Sequence, residues 1–400
     1  MTLPFDNIRI LAFCHALAGN TTAMYLSELG AEVVKIESWT RPDPTRNVRQ
    51  PDVPPAVEKA SGAPSSQSYI STNRSLKGIT IDMSVPEGRA VFSRLASVAD
   101  IVLDNFGIGV MQKWGLESED LRKVNPDIIT LSMPGLGKTG PKRSYITYGS
   151  IISSFTGMTH MWGYSHGTHN DYATAAFAAY VLLGALQYRD RTGKGLSIDL
   201  AQSEAGANLM GPLFLDATVN RRDPKPYGNR IPGSSYSAVL KCRGFDRWIA
   251  IELETEADWK TLCSVMKKPA LAADPRFASL YERTRNIEEL DGIVEAWLQS
   301  YTPHQAMLLL QKAGLAACAV QDAEDLYHDP QLWSRDFIVE TADPDMGSPQ
   351  FPQSVHRLSK TPGRIRRPAP RLGEHTDEIL SGWIDMPEEE RARLKALKVI

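Results

Sequence analysis

Asp171 is the residue of this chain whose type and setting are best suited to chemistry. It lies between Asn170 and Tyr172, after a loop rich in Gly and His, and it opens an apolar run that predicts a helix over 173–186. A carboxylate beside flexible backbone, in the first turn of a helix, is suited to act as a nucleophile or a base. A structural role is the alternative, because Asp near a helix start commonly caps free amides. The local sequence leaves both roles open.

Three histidines close to Asp171 raise the question of a metal site. His160, His166 and His169 do not have the spacing of a helical His-x-x-x-His pair, and no Cys or Glu completes a ligand set. Loops rich in Gly also accept histidines readily. We therefore predict no metal.

Two short motifs suggest other enzyme classes. Residues 163–167 match the Gly-x-Ser-x-Gly elbow of α/β hydrolases, but 168–170 intervene before the predicted helix, whereas a helix follows that nucleophile at once. Ser165 remains the nucleophile of a hydrolase alternative. Residues 137–139 read Gly-Lys-Thr, but Ser132 occupies the place where a phosphate-binding P-loop needs its first Gly.

Length and composition limit the possible classes of protein. The chain has 400 residues, 42% hydrophobic and 23% charged, which is typical of a soluble globular protein with two domains. A formal net charge of -3 argues against a general nucleic-acid binder, although the local basic clusters 138–143 and 364–371 could hold a small anion. No apolar run is long enough for a membrane span and no leader is evident, so we expect a cytoplasmic protein. Four scattered cysteines predict reduced thiols and no disulfide framework: Cys14, Cys242, Cys263 and Cys318.

Short β-branched runs alternate with segments of helical periodicity in the first half of the chain. This alternation predicts an α/β fold with a large, doubly wound, Rossmann-like sheet. A helix start with capping-box spacing is predicted at Ser84. The predicted strands are 8–13, 32–36, 79–83, 101–103, 128–132 and 196–200. The predicted helices are 21–29, 84–96, 117–124, 173–186 and 202–215.

Composition changes after the alternating region suggest three segments. We predict a large α/β domain over 1–220 and a smaller α+β domain with its linker over 221–328. The smaller domain is expected to contain a hairpin around 243–246, followed by three helices. The segment 329–400 is rich in Pro and Gly, so we expect few regular elements there and a return to the large domain.

An ordered set of short motifs extends over nearly the whole chain. Each motif is weak alone, but the ordered set is highly specific. The set resembles the family III coenzyme A transferases (CaiB/BaiF), which include carnitine and formyl coenzyme A transferases and the α-methylacyl-CoA racemases. The motifs are Leu17-Ala18-Gly19, 29–37, Asn73-Arg74, 79–82, Pro86-Glu87-Gly88, Asp104-Asn105-Phe106, Gly109-Val110-Met111, Asn125-Pro126, Thr139-Gly140-Pro141, 191–195 and 372–376.

The resemblance implies a site and an assembly. Asp171 is the implied nucleophile, coenzyme A is a substrate moiety and no cofactor is tightly bound. The implied assembly is an interlocked homodimer. We place the substrate pocket in the aromatic stretch before Asp171, at Tyr148, Trp162 and Gly163. The residues implied to hold coenzyme A, the last two at its nucleotide end, are Ala16, Leu17, Ala18, Asn105, Phe106, Lys113 and Trp114.

Three positions depart from the family pattern. Ser38 stands where some members carry Arg, although Arg41 and Arg46 are nearby. The Gly-rich loop of the formyl-CoA enzyme has only 232–235 as its counterpart. Tyr148 stands where the racemases carry a catalytic His, and Tyr, with an ordinary pKa of about 10, is a poor second acid and base.

These features together predict transfer of coenzyme A from an acyl-CoA to a small carboxylic acid, through an aspartyl anhydride and an enzyme thioester. The helix start beside Asp171 is expected to keep the carboxylate ionised. The acyl group is expected to be hydrophobic or dicarboxylic. Two alternatives stay open: an acyl-CoA isomerase, racemase or intramolecular coenzyme A transferase of the same family, and a non-catalytic subunit that binds coenzyme A.

Overall fold

The computed structural model describes residues 3–47, 66–163, 168–343 and 347–400. Two compact units are present. The large unit comprises Met1–Pro224 and Ser334–Ile400, and the small unit comprises Lys225–Trp333. Among the described residues, none of the helices combines the length and the apolar character needed to cross a bilayer.

A parallel sheet of six strands forms the centre of the large unit, in the order β3-β2-β1-β4-β5-β6. This confirms the predicted α/β class. The order reverses between β1 and β4, so their following loops diverge and leave a crevice. The predicted strand 79–83 is wrong in its bounds, since β3 begins and ends earlier. The strands are β1 Arg9–Phe13, β2 Glu32–Glu37, β3 Lys77–Thr80, β4 Ile101–Asp104, β5 Ile129–Ser132 and β6 Ser197–Asp199.

Ten helices among the described residues belong to this first part of the large unit. The predicted capping box at Ser84 is wrong, because the Ser84 hydroxyl donates to Asp82 and the helix begins at Pro86. The predicted helix 202–215 is broken in two, because Pro212 opens a new helix after Met210 leaves helical geometry. The helices are α1 Ala18–Glu28, α2 Gln67–Asn73, α3 Pro86–Ala96, α4 Val110–Trp114, α5 Ser118–Val124, α6 Gly149–Phe155, α7 Met158–Trp162, α8 Thr168–Thr192, α9 Gln202–Leu209 and α10 Gly211–Thr218.

The sheet has an apolar core on each face. Alternate residues of β1 point to opposite sides, so Leu11 and Phe13 join one core while Ile10 and Ala12 join the other. The second core also contains the inner face of α8. The helix α8 includes the predicted helix 173–186 and is longer than predicted at both ends. The packing of α8 against the sheet fixes the position of its first turn.

The small unit contains an antiparallel sheet of three strands with helices. Its first two strands form the predicted hairpin, whereas the third strand was not predicted. The strands are β7 Tyr236–Lys241, β8 Trp248–Leu253 and β9 Ala316–Val320. The helices are α11 Glu256–Val265, α12 Leu280–Arg285, α13 Ile287–Leu298, α14 Pro303–Lys312 and α15 Ala323–Tyr327, with α16 Pro330–Ser334 at the boundary.

The C-terminal segment is more regular than its composition predicted. The expectation of few regular elements after 329 is wrong, because this segment forms β10 Ile338–Glu340, β11 Gln350–Pro352, α17 Thr376–Ile384 and α18 Glu388–Ala396. Side chains of α17 and α18 complete one core of the parallel sheet. The Asp82 amide donates to the Val399 carbonyl at 2.7 Å, which ties the chain end to the segment after β3.

A buried charge network supports the loop after β1. Lys35 on β2 is fully buried and donates to Asn20, Asp43 and Asn73 at 2.7, 2.6 and 2.9 Å. Burial alone would raise the pKa of Asp43, but the charge of Lys35 and hydrogen bonds from Lys35, Thr45 and Asn20 hold that pKa well below its usual range. Asp43 is therefore an ionised acceptor, and its Oδ1 lies 3.4 Å from the Ala16 amide that it faces.

Replacing Lys35 by Met is expected to lower the free energy of unfolding by about 3 to 5 kcal/mol, because Asp43 would remain buried without its cation. A denaturant titration followed by circular dichroism measures the loss. Lys123→Met is the control, since Lys123 forms an exposed ion pair with Asp120 and its removal should leave the midpoint unchanged. Equal midpoints for Lys35→Met and the wild type would contradict a structural role for the network.

Candidate active site

A cavity of about 530 Å³ opens where the strand order reverses. Its walls come from the loop 15–18 after β1, the loop 105–108 after β4 and the segment 143–150. Asp171, at the start of α8, also lines it. The position beyond the carboxyl ends of parallel strands and the volume are both typical of a ligand site in this type of sheet.

The Asp171 carboxyl is almost withdrawn from water. The residue is 8% exposed, and burial raises the pKa of its carboxyl to about 7, while a hydrogen bond from the Ala18 backbone amide opposes the rise. The expectation that the helix start keeps Asp171 ionised is therefore wrong in direction, because burial raises the pKa more than the hydrogen bond from the Ala18 amide lowers it. Near neutral pH the carboxyl is present in both protonated and ionised forms.

Two hydrogen bonds join the loops after β1 and β4. The Asn105 side chain accepts from the His15 amide at 3.0 Å and donates to the His15 carbonyl at 2.7 Å. A Cβ at Gly19 would lie 2.8 Å from the Asn105 side chain, so only glycine permits this approach. The start of α1, including the Ala18 amide beside Asp171, is thus held against Asn105.

Ala16 has a backbone conformation that the surrounding structure must impose. Its φ of 59° lies in the left-handed region, which costs energy for a residue with a Cβ. The Ala16 amide faces Asp43, which is fixed by Lys35. The buried network therefore helps to hold the loop in the shape that lines the cavity.

The segment 143–150 forms the opposite wall and is open to solvent. A Cβ at Gly135 would lie 1.7 Å from the Thr147 hydroxyl, so glycine is required where this segment packs on the turn after β5. Tyr145 and Tyr148 are 61% and 64% exposed while lining the cavity. These two rings therefore lie at the solvent-facing side of the cavity.

The charges at the cavity are few. His15 is half-buried, and burial, together with the charge of Lys35, lowers the pKa of its imidazole, so it is predominantly neutral at pH 7. Among the lining residues that the structure describes, Asp171 provides the one carboxyl group and Arg143 the one guanidinium group. The cavity is thus poor in compensating charge around the carboxyl.

A second carboxyl lies beside this cavity. Asp104 ends β4 and lines a neighbouring cavity of about 310 Å³, and burial raises its pKa to about 7 against hydrogen bonds from the Phe106 amide and the Ser132 hydroxyl. These donors occupy Asp104, whereas Asp171 faces the larger cavity with the Ala18 amide as its neighbour. The geometry favours Asp171 as the reactive group.

Most of the residues singled out from the sequence come together in the larger cavity. Four do not line it. The group that lines it is Ala16, Leu17, Ala18, Asn105, Phe106, Tyr148 and Asp171. Lys113 is exposed on α4, while Trp114 packs on Phe13 and Phe106 with ring centroids 5.5 and 6.0 Å apart. Trp162 is exposed beside His169, and Gly163 follows it at the end of α7.

Other sequence features lie elsewhere or were missed. Ser165 and the hydrolase motif around it fall within 164–167, outside the described residues. In the part of the chain that is described, no cluster of His, Cys, Asp and Glu could hold a metal ion. Sequence reasoning missed Gln202 as a lining residue, although it follows β6 and the strand-end rule could have found it. Arg143 belongs to the basic cluster 138–143, which the sequence marked as able to hold a small anion but did not assign to this cavity.

Comparison with known proteins gives a consistent family. The family model described as CoA-transferase family III matches residues 5–376. A succinyl-CoA--D-citramalate CoA-transferase from Chloroflexus aurantiacus is 31% identical over 99% of this chain and 98% of its own length. A succinate--glutarate CoA-transferase from Agrobacterium fabrum is 28% identical over 94% of this chain and 95% of its own.

The fold agrees with a solved structure of the same group. The crystal structure of a CAIB/BAIF family protein from Brucella suis superposes with a TM-score of 0.86 and 26% identity, covering 95% of this chain and 99% of that one. The chain belongs to CoA-transferase family III, and it is an enzyme that transfers coenzyme A.

Proposed function

We propose that this enzyme moves coenzyme A from an acyl-CoA donor to a carboxylic acid acceptor through covalent intermediates on Asp171. The main support for this proposal is the buried carboxyl of Asp171, which has a pKa of about 7 and faces a cavity of ligand size. This carboxyl has no ion-pair partner among the described residues. A carboxylate with little hydration is a better nucleophile than one in water. Structural capping does not require such a cavity.

The proposed reaction proceeds by acyl exchange without water. The ionised Asp171 attacks the thioester carbonyl, the carbon–sulfur bond breaks and the thiolate leaves, which forms a mixed anhydride. The thiolate then attacks the aspartyl carbonyl, releasing the donor acid and forming an enzyme thioester. The acceptor carboxylate repeats these two steps in reverse order and leaves as the new acyl-CoA.

The Ala18 amide is the proposed stabiliser of charge in these steps. It donates to the Asp171 carboxyl, whose own carbonyl oxygen gains negative charge when the thiolate, and later the acceptor carboxylate, attacks the aspartyl carbon. A fixed backbone donor in a site of low dielectric constant contributes about 3 kcal/mol to the transition state. The bonds between Asn105 and His15 keep this amide in place without reorganisation.

Coenzyme A is proposed to lie along the two joined loops. Ala16, Leu17 and Ala18 on one side and Asn105 and Phe106 on the other would hold the thioester end. The nucleotide end would extend towards Lys113 and Trp114 on α4, and the acyl group towards Tyr148, Trp162 and Gly163. We further propose dicarboxylic acids as substrates, since the names of the relatives described above pair succinate with citramalate or glutarate.

We also propose a homodimer assembled through the outer surface of the large unit. Large apolar side chains are exposed on α8, on α10 and at the residue that follows α10, and exposed patches of this kind mark protein interfaces. The residues are Tyr180, Leu183, Phe214, Leu215 and Val219. Two other relatives from Chloroflexus aurantiacus are named as alpha and beta subunits of one CoA-transferase, so unlike pairing is the competing assembly.

Trapping tests the proposed covalent chemistry. The protein is incubated with an acyl-CoA donor and treated with hydroxylamine, and peptide mass spectrometry should find a hydroxamate on Asp171. Asp171→Ala should lose turnover by about a thousandfold or more, as expected when a nucleophile is removed. Asp190→Asn, at an exposed site near the other end of α8, is the control and should retain activity. A label at another residue would refute the mechanism.

The first half-reaction should depend on pH through the ionisation of Asp171. With a pKa of about 7 the carboxyl is ionised above that pH and protonated below it, so kcat/KM for the donor should reach a plateau above pH 7. At pH 6 it should fall to about a tenth of the plateau. Asp104→Asn controls for the neighbouring carboxyl and should keep the same midpoint. A flat profile across pH 7 would contradict the assignment.

The assembly can be weighed directly by mass photometry. The wild type should have the mass of two chains, and Tyr180→Glu combined with Leu183→Glu should shift it to one chain by placing charges in the apolar interface. Tyr281→Glu, at an exposed position in the small unit, should remain a dimer. A wild-type protein that is monomeric at micromolar concentration and still active would show this proposal to be wrong.

A further inference from the structure

Arg143 is a cation at the active cavity without a partner among the described residues. It lines the same cavity as Asp171, yet no carboxylate or other acceptor in the described chain binds its guanidinium. Neighbouring cations are already engaged: Lys138 pairs with Glu117 at 2.5 Å, and Lys142 lies over the Phe155 ring at 5.1 Å. Arg143 therefore has its hydrogen-bonding capacity available for an anion.

The charge of Arg143 does not serve the nucleophile. A guanidinium in contact with a carboxylate lowers its pKa, whereas the pKa of Asp171 is raised by burial and opposed only by the Ala18 amide. Arg143 thus lies in the same cavity but apart from the reacting carboxyl. A cation in that position can bind a second group of the substrate while Asp171 attacks the first.

The backbone around Arg143 is fixed at both sides. Its amide donates to the Gly140 carbonyl at 3.4 Å, and Gly140 takes a φ of 86° that suits glycine. Four residues later, Thr147 packs directly on Gly135. The base of the Arg143 side chain is thus held at the cavity, while its exposed guanidinium can turn towards a ligand.

We propose that Arg143 binds the distal carboxylate of the acyl chain and so determines a preference for dicarboxylic substrates. This inference rests on the proposed function, in which the proximal carboxyl reacts at Asp171. A short dicarboxylic chain separates its two carboxyl groups by a few carbon–carbon bonds of about 1.5 Å each. The planar guanidinium matches a carboxylate in bidentate geometry, which selects it over a methyl group.

A phosphate of coenzyme A is the competing anion. Arg143 also borders the neighbouring cavity that contains Asp104, so a phosphate there would be within its range. The position favours the acyl carboxylate, because Arg143 shares the larger cavity with the nucleophile, whereas the phosphates lie at the far end of the long pantetheine arm. The two ligands predict different effects of substitution.

The test compares two donors with acyl chains of equal length, succinyl-CoA and butyryl-CoA, which differ in a terminal carboxylate or methyl. The full-length wild type should prefer succinyl-CoA. Arg143→Gln should lower kcat/KM for succinyl-CoA about tenfold or more, mainly through KM, and leave butyryl-CoA unchanged. Arg143→Lys should restore part of the preference. Lys142→Gln, the adjacent exposed cation outside the cavity lining, should change neither donor.

Three outcomes would overturn the assignment. An equal loss for both donors that disappears with 3′-dephospho-CoA thioesters would assign Arg143 to a phosphate. If the Arg143→Gln variant keeps the preference for succinyl-CoA, a group other than Arg143 binds the distal carboxylate. A wild type that transfers coenzyme A from butyryl-CoA but not from succinyl-CoA would show that dicarboxylic acyl groups are not substrates of this enzyme. If Asp171 is not acylated by any donor, the proposed function fails separately.

Discussion

Burial of the Asp171 carboxyl next to the first amide of α1 is the interaction on which the site depends. Desolvation raises the pKa to about 7, and the Ala18 amide limits the rise. Without burial the carboxylate would be fully ionised but well hydrated, and without the amide its ionised form would be less populated. In the proposed reaction, this balance suits a group whose oxygen attacks a thioester and whose own carbonyl carbon is then attacked by the thiolate.

The rest of the large unit keeps that amide opposite Asp171. Asn105 joins the loop after β4 to His15, Gly19 provides the space for this contact, and Lys35 with Asp43 supports Ala16. Buried ion pairs contribute little net stability compared with apolar packing, so the network is better explained by the geometry that it imposes. The opposite wall is built differently, with exposed Tyr148 and Arg143 on an open segment.

Short-range patterns predicted the sheet and the position of the loops, because strands, helices and their ends are marked by neighbouring residues. The pairing of Asn105 with His15 was not predictable, since these residues are 90 positions apart. The direction of the pKa shift of Asp171 was predicted wrongly, because the helix start is visible in the sequence while burial is a tertiary property. Arg143 was visible as part of a basic cluster, but its place in the cavity with Asp171 was not predictable, because its loop carries no periodic signal.

The most direct test of covalent catalysis through Asp171 is to measure the transfer of oxygen from the acceptor acid to the Asp171 carboxyl. If the acceptor carboxylate attacks an aspartyl thioester and the thiolate then attacks the acceptor carbonyl, one acceptor oxygen stays in the Asp171 carboxyl after each turnover. With an acceptor labelled in its carboxylate with heavy oxygen, mass spectrometry should find the label in the peptide that contains Asp171 and in no other. Active enzyme that turns over the labelled acid while Asp171 remains unlabelled would contradict the account.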